Sequence, residues 1–239
     1  MKKFAVIVAG GSGTRMGGGI PKQFRSLAKR PVLWWSMKAF YDEDPATEQI
    51  LVLPEEFITL WSDFFDSLPV SDRYPHKVAS GGLTRGESVK NGLRLIKANL
   101  GNEDGKEKQE KILVAVHDGA RPLVTTQMIT EGWHTANEYD AAIPGVDVTD
   151  SLREKTDEEG NSHSVDRSRF VAVQTPQVFD ARLLLKAYEK AAEKSFTDDA
   201  AVMEYAGHKV KLYKGHHRNL KITNPEDMAL AETLLQKNV

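Results

Sequence analysis

Three short segments carry residues whose types and spacing suit chemistry on phosphates. The first reads Gly10-Gly11-Ser12-Gly13-Thr14-Arg15-Met16-Gly17-Gly18-Gly19-Ile20-Pro21-Lys22-Gln23-Phe24. Glycines this dense let a backbone approach a ligand and aim its N–H groups at it. Arg15 and Lys22 stand where both can meet one anion, Arg as a planar fork and Lys as a point charge. No G-K-[ST] closes the loop, so it is not a P-loop. Met16 stands where a dinucleotide fingerprint has its third glycine. A plain Gly-rich turn with two solvated cations competes with this reading, but a turn needs neither so many glycines nor the Pro-Lys-Gln that follows.

The second segment is Gly81-Gly82-Leu83-Thr84-Arg85-Gly86-Glu87-Ser88. It follows an apolar run and opens an amphipathic one, so its N–H groups suit an anion or the edge of a base. An ordinary helix cap at Thr84 or Ser88 explains it equally well. The third is His117-Asp118-Gly119-Ala120-Arg121-Pro122. A carboxylate at the end of a buried strand, facing a phosphate loop, suits Mg²⁺ or a ribose hydroxyl. Arg121 suits a second phosphate; a structural Asp–Arg pair is the plainer alternative.

Further candidates are Asp150, Ser151, Asp166 and Arg167, then Gln174-Thr175-Pro176-Gln177, Thr197-Asp198-Asp199-Ala200 and Lys221. Asp198 and Asp199 serve equally as charges in the first turn of a helix. The seven His show no ligand spacing, and His216-His217 reads as a solvated pair. Trp34 and Trp35 read as core or interface residues.

The elements that must hold these residues alternate along the whole chain. Strands are predicted over residues 4–9, 49–53, 76–79, 112–116, 141–148, 209–213 and 220–223. Helices are predicted over 31–41, 55–68, 87–100, 126–139, 181–194, 197–206 and 225–236. That order predicts an α/β fold with a parallel sheet and helices on both faces. Ligands then bind beyond the carboxyl ends of the strands, where the second and third segments fall, and the first after strand one. Residues 101–111 are charged and aperiodic, which predicts a disordered surface excursion. Residues 149–176 alternate weakly and turn near residues 157–161, which predicts a projecting β-arm inserted in a single domain spanning 1–239.

The chain has 239 residues and a net charge of −2, a balance that argues against a general nucleic-acid binder. It has no Cys, which removes disulfides, thiolate nucleophiles and Cys-ligated metals. No apolar run reaches the ~20 residues a membrane span needs. The N-terminal apolar run is too short for a secretory leader, so a soluble cytoplasmic protein is expected.

Together the segments are more specific than any one of them. VAGGSGTRMGGGIPKQF, GGLTRGESV, HDGARP, VTDSL, VDRSRF, QTPQVF, TDDA and LKITNPEDMALAE occur in that order. This resembles the nucleotidyltransferase family that contains 2-C-methyl-D-erythritol 4-phosphate cytidylyltransferase, of the non-mevalonate isoprenoid pathway. The resemblance implies a three-layer α/β/α Rossmann-like fold with a mostly parallel sheet. It implies a protruding β-arm that exchanges across a homodimer. The implied substrates are CTP and a polyol phosphate, with Mg²⁺ or another divalent cation, and neither nucleic acid nor membrane is implied.

Residue by residue, the resemblance gives Arg15 and Lys22 to the triphosphate as catalytic cations. It gives Ala9, Gly10, Gly11, Ser12, Gly13, Gly82, Arg85 and Ser88 to CTP, with the 82–88 segment at the cytosine. It places Asp118 and Gly119 near ribose, with Asp118 also toward the metal. It gives Arg121, Ser151, Arg167 and Lys221 to the acceptor, Arg167 from the partner subunit. Two positions depart from the pattern. Arg218 stands where the family has an acidic residue facing the substrate hydroxyls, and Leu83 where it has an acidic or polar one. A ribitol 5-phosphate cytidylyltransferase is the nearest rival, and a non-catalytic nucleotide-binding protein on the same fold is a rival of another class.

Overall fold

The structure, a computed structural model, describes residues 1–10, 20–97, 100, 110–192 and 194–236. In chain order the strands are β1 (Lys2–Val8), β2 (Ser26–Leu27), β3 (Arg30–Pro31), β4 (Glu48–Leu53), β5 (His76–Ser80) and β6 (Ile112–Asp118). They continue as β7 (Ala141–Asp147), β8 (Arg153–Lys155), β9 (Ser162–Ser164), β10 (Val171–Val173), β11 (Gln177–Asp180) and β12 (Lys211–Lys214). The helices are α1 (Val32–Glu43), α2 (Ile58–Ser67), α3 (Arg85–Lys97), α4 (Thr126–Tyr139), α5 (Ala181–Lys190), α6 (Asp199–Ala206) and α7 (Pro225–Gln236).

The central sheet runs β10–β7–β11–β6–β1–β4–β5, with β12 pairing β7. Strands β6, β1, β4 and β5 are parallel neighbours. Alternation along β1 explains the layers, because successive side chains point to opposite faces. Phe4 and Val6 join α3, α5 and α6 in one core. Ala5 and Ile7 join α1, α2 and α4 in the other. Helix α7 packs on a smaller cluster around Leu27, Leu123 and Ile222.

The parallel register brings the strand ends to one edge. Val8 lies opposite Asp118, and the Gly119 N–H donates to Val8 O at 2.9 Å. Ala9 N–H donates to Val52 O, and Gly81 N–H to Leu53 O. Segments far apart in sequence therefore meet beyond β1, β4, β5 and β6.

Four expectations need correction. Residues 149–176 are not one hairpin: only β8 and β9 pair with each other, whereas β10 runs antiparallel to β7 in the central sheet. Residues 177–180 form an unanticipated strand, β11, antiparallel to both β6 and β7 within the mostly parallel sheet that the resemblance implied. Residues 220–223 are not a strand; the Ile222 N–H donates instead to Ala120 O at 2.8 Å. The predicted helix over 55–68 opens as a 3₁₀ turn at Glu55–Phe57 before α2. Of the expected excursion, residues 101–109 lie outside the described residues.

Candidate active site

Asp118 closes β6 and is almost wholly buried. Three cations surround it. Lys221 Nζ lies 2.8 Å from Oδ2, Arg85 Nε 3.4 Å from Oδ1, and Arg121 Nε 3.9 Å from Oδ2. Burial by itself pushes the carboxyl pKa up; the Arg85, Lys221 and Arg121 charges outweigh it and hold Asp118 well below the usual carboxylate range. The site therefore keeps an ionised carboxylate inside a net positive shell. That arrangement suits an anionic ligand that also carries hydroxyls or a bound cation.

The three cations come from different parts of the chain: Arg85 opens α3, Arg121 follows β6 and Lys221 precedes α7. Arg121 Nη1 donates to Asn219 O at 2.7 Å, and Asn219 Nδ2 donates to Thr175 O at 2.8 Å. Gln174 Nε2 donates to His216 O at 3.0 Å. These bonds tie the loop that carries Lys221 to the strand end before β11. The Thr175 hydroxyl accepts from the Asp118 N–H and lies 3.1 Å from His117 Nδ1. Its own proton then goes to Nδ1, leaving Nε2–H to donate to Arg121 O at 3.2 Å. Burial pulls the His117 pKa down to about 4, so the ring is neutral near pH 7.

The other side of the strand ends is built on the start of helix α3. Thr84 Oγ1 accepts from the Glu87 N–H, while Glu87 Oε2 accepts from the Leu83 and Thr84 N–H groups, which is a capping box. A Cβ at Gly82 would sit 2.3 Å from that of Glu87, so only glycine fits the turn. Ser88 Oγ accepts from the Gly82 N–H at 3.1 Å and donates to Thr84 O. A Cβ on Gly10 would meet the same oxygen at 3.2 Å. The backbone after β1 thus comes within contact of the start of α3. Gln23 Nε2 donates to Ala9 O at 2.6 Å, which pins the turn carrying Lys22 beside them.

The family described as 2-C-methyl-D-erythritol 4-phosphate cytidylyltransferase (IspD) matches residues 4–237. The chain belongs to this family. A 2-C-methyl-D-erythritol 4-phosphate cytidylyltransferase of Bacteroides thetaiotaomicron is 42% identical over 235 residues, 98% of this chain and 100% of that protein. One from Phocaeicola vulgatus is 41% identical over the same share of each chain. The crystal structure of the Thermus thermophilus enzyme of that name is 30% identical, with a TM-score of 0.74 over 99% of this chain and 100% of that one.

Against the residues that the cytidylyltransferase resemblance implied, the structure gathers Ala9, Gly10, Gly82, Arg85, Ser88, Asp118, Gly119, Arg121 and Lys221 at the strand ends. Gly11, Ser12, Gly13 and Arg15 lie outside the described residues. Ser151 is exposed near the base of the arm, and the Arg167 guanidinium donates to Thr149 O, within the arm. Leu83 is fully exposed, and its N–H serves the capping box. Sequence reading passed over Asn219 and Tyr188. The latter donates from its hydroxyl to Asp199, a contact the amphipathic pattern of α5 does not announce.

Among the described residues no three His, Asp or Glu side chains converge as a metal cage. Asp118 is nonetheless an ionised carboxylate, and Mg²⁺ takes one or two carboxylates and completes its shell with phosphate oxygens and water, so Asp118 is the residue that would hold it. No helix among the described residues is long and apolar enough to cross a membrane.

Proposed function

We propose that this chain transfers the cytidylyl group of CTP to 2-C-methyl-D-erythritol 4-phosphate, releasing pyrophosphate and forming 4-diphosphocytidyl-2-C-methyl-D-erythritol. The observation that carries the proposal is the ionised Asp118 set among Arg85, Arg121 and Lys221 in a chain of this family.

An oxygen of the acceptor phosphate attacks the α-phosphorus of CTP. The bond from that phosphorus to the β-bridging oxygen breaks, and its electron pair leaves with pyrophosphate. The nucleophile is already an anion, so no side chain needs to remove a proton. What the chain supplies is alignment and positive charge for a crowded, anionic transition state. Ser88, Gly82 and the backbone of Ala9 and Gly10 hold the cytosine. Lys22 and Arg15 take the growing charge on the β- and γ-phosphates. Arg121 and Lys221 hold the acceptor phosphate, and Asp118 orients the ribose. A divalent cation bound by Asp118 and the triphosphate would add charge neutralisation there. Ser151 serves the acceptor as well, and Arg167 serves it from the arm of a second subunit.

The test is pyrophosphate release with CTP and Mg²⁺, run in parallel with methylerythritol 4-phosphate and ribitol 5-phosphate. Release with the first alone supports the proposal. Release with the second alone keeps the chemistry and changes the acceptor, with Arg218 the first position to revert. Release with neither, in a folded protein that binds CTP, overturns the transferase assignment.

A further inference from the structure

Asp199 is fully buried at the start of α6, and nothing in the proposed reaction touches it. Both of its oxygens are used. Tyr188 Oη donates to Oδ1 at 2.5 Å, and Arg85 Nη2 donates to Oδ2 at 2.7 Å. Its backbone is fixed as well: the N–H groups of Asp199 and Ala200 both donate to Gln177 Oε1 at 3.1 Å. Gln177 belongs to β11, beside β6, so Asp199 is held relative to the strand that ends in Asp118.

Arg85 consequently bridges two carboxylates. It faces Asp199 through Nη2 at 2.7 Å and Asp118 only through Nε at 3.4 Å. An Arg beside a lone carboxylate settles fork to fork and covers both oxygens. At Asp118 that pairing does not form: Lys221 holds Oδ2 at 2.8 Å, and Oδ1 has only the longer Arg85 contact. We propose that Asp199 and Tyr188 are positioning residues that hold the Arg85 guanidinium back, so that Asp118 keeps an edge for the nucleotide. The inference rests on the reading of Asp118 as the nucleotide-facing carboxylate.

Without Asp199 the guanidinium has two other places to go. It can close on Asp118 and cover Oδ1, the oxygen that Lys221 leaves open. It can also turn into the cavity of about 440 Å³ beside α3 and α5, whose lining includes Glu87 and Asp198. Either movement removes the present geometry around Asp118. A purely structural ion pair would behave otherwise: removing one partner would cost stability and leave the CTP affinity of the folded protein unchanged.

The experiment uses the full chain and three single variants, Asp199→Asn, Tyr188→Phe and Arg85→Gln, with the two doubles that contain Arg85→Gln. CTP affinity is measured by calorimetry with Mg²⁺ and no acceptor, and the KM values for CTP and acceptor are then compared. Loss of a residue that orients a ligand-binding group costs about 10–100-fold. Asp199→Asn is expected to weaken CTP by that factor and leave the acceptor KM unmoved. Tyr188→Phe is expected to weaken CTP about fivefold. Neither should add to Arg85→Gln. Full CTP affinity in either folded single variant overturns the inference, as do losses that multiply with Arg85→Gln. If Asp199→Asn does not fold, Tyr188→Phe and its double decide by the same criteria. A wild-type chain that binds no CTP overturns the proposed function itself, and the inference with it.

Discussion

The ammonium of Lys221 lies 2.8 Å from Oδ2 of Asp118, joining the loop before the last helix to the end of β6. The contact is half-open to solvent on the lysine side and nearly closed on the aspartate side. Lys221 can therefore meet an incoming phosphate without giving up Asp118. Lys221→Met removes that donor, and a hydrogen bond to a charged group is worth about 1.5–3 kcal/mol. The acceptor KM should rise about tenfold or more, with CTP affinity changed little. Steady-state kinetics with each substrate varied in turn checks this. A loss confined to CTP would assign Lys221 to the nucleotide instead.

Lys22 opens a short 3₁₀ turn that Gln23 ties to Ala9 O at 2.6 Å. The tie fixes the turn that carries the lysine to the residue that follows β1. Removing one such electrostatic donor typically lowers kcat by about 10²–10³. Lys22→Ala should show that loss in turnover with CTP and the acceptor saturating. Intact turnover would remove Lys22 from the chemistry. Gln23→Leu leaves every charge in place, so a smaller kcat loss in that variant would show that the tie itself matters.

His117 titrates at about 4 because burial disfavours its charged ring. In the unfolded chain an imidazole titrates near 6.5, so below that pH the unfolded state binds a proton that the folded state does not. The sign is therefore a loss of stability as pH falls from about 6.5 to 4, amounting to about 3 kcal/mol in total. His117→Gln should flatten this part of the curve while lowering stability at pH 7. Denaturant unfolding of both proteins at about pH 7.5 and 4.5 gives the comparison. Equal losses in the two would show that other groups, not His117, drive the acid response.

The pattern of apolar residues made the helices and parallel strands legible, because Val89, Leu93 and Ile96 mark one face of α3 and residues 4–8 run apolar without a break. Strand β11 was not legible. Its four residues are too few for a period, and they fall between a Pro and a helix start. The return of β10 into the main sheet was hidden for a similar reason, since Val171–Val173 is only three residues long. At the site, Asp118 and Arg121 could be named because a strand end and the resemblance both point to them, and Lys221 because the resemblance does. Asp199 could not be told from an exposed first-turn charge. The difference is burial against Tyr188 and Arg85, and those partners come from other parts of the chain.

Strands β8 and β9 pair only with each other, and an isolated hairpin is marginal in water. Nearby, Phe170 just before β10 and Val171 and Val173 within it are 47%, 37% and 38% exposed. An exposed apolar strand at a sheet edge is a template for pairing with another chain. A second copy that receives the arm would cover both features. Gel filtration or sedimentation at micromolar concentration should give a dimer, and Val171→Lys with Val173→Lys should shift it toward the monomer. A mass near the 26.6 kDa of one chain for the wild type would count against the exchange.

Gly92 lies in the middle of α3 where the helix crosses β1 and β4. A Cβ there would meet Val6 Cγ1 at 2.6 Å and Val52 Cγ2 at 3.0 Å. Helix propensity alone favours Ala over Gly by about 1 kcal/mol. The contact with Val6 opposes it, because valine is stiff at χ1 and its strand sits in the centre of the sheet. Overpacking of this kind costs about 1–3 kcal/mol, so the packing effect wins or at least cancels the gain. Gly92→Ala should leave Tm unchanged or lower it by a few degrees, at about 2–4 °C per kcal/mol for a chain of this size. The start of the same helix carries Arg85 and Ser88, so any tilt that relieves the clash should also weaken CTP. A rise in Tm with unchanged CTP affinity would mean that α3 can move off the sheet at no cost to the site.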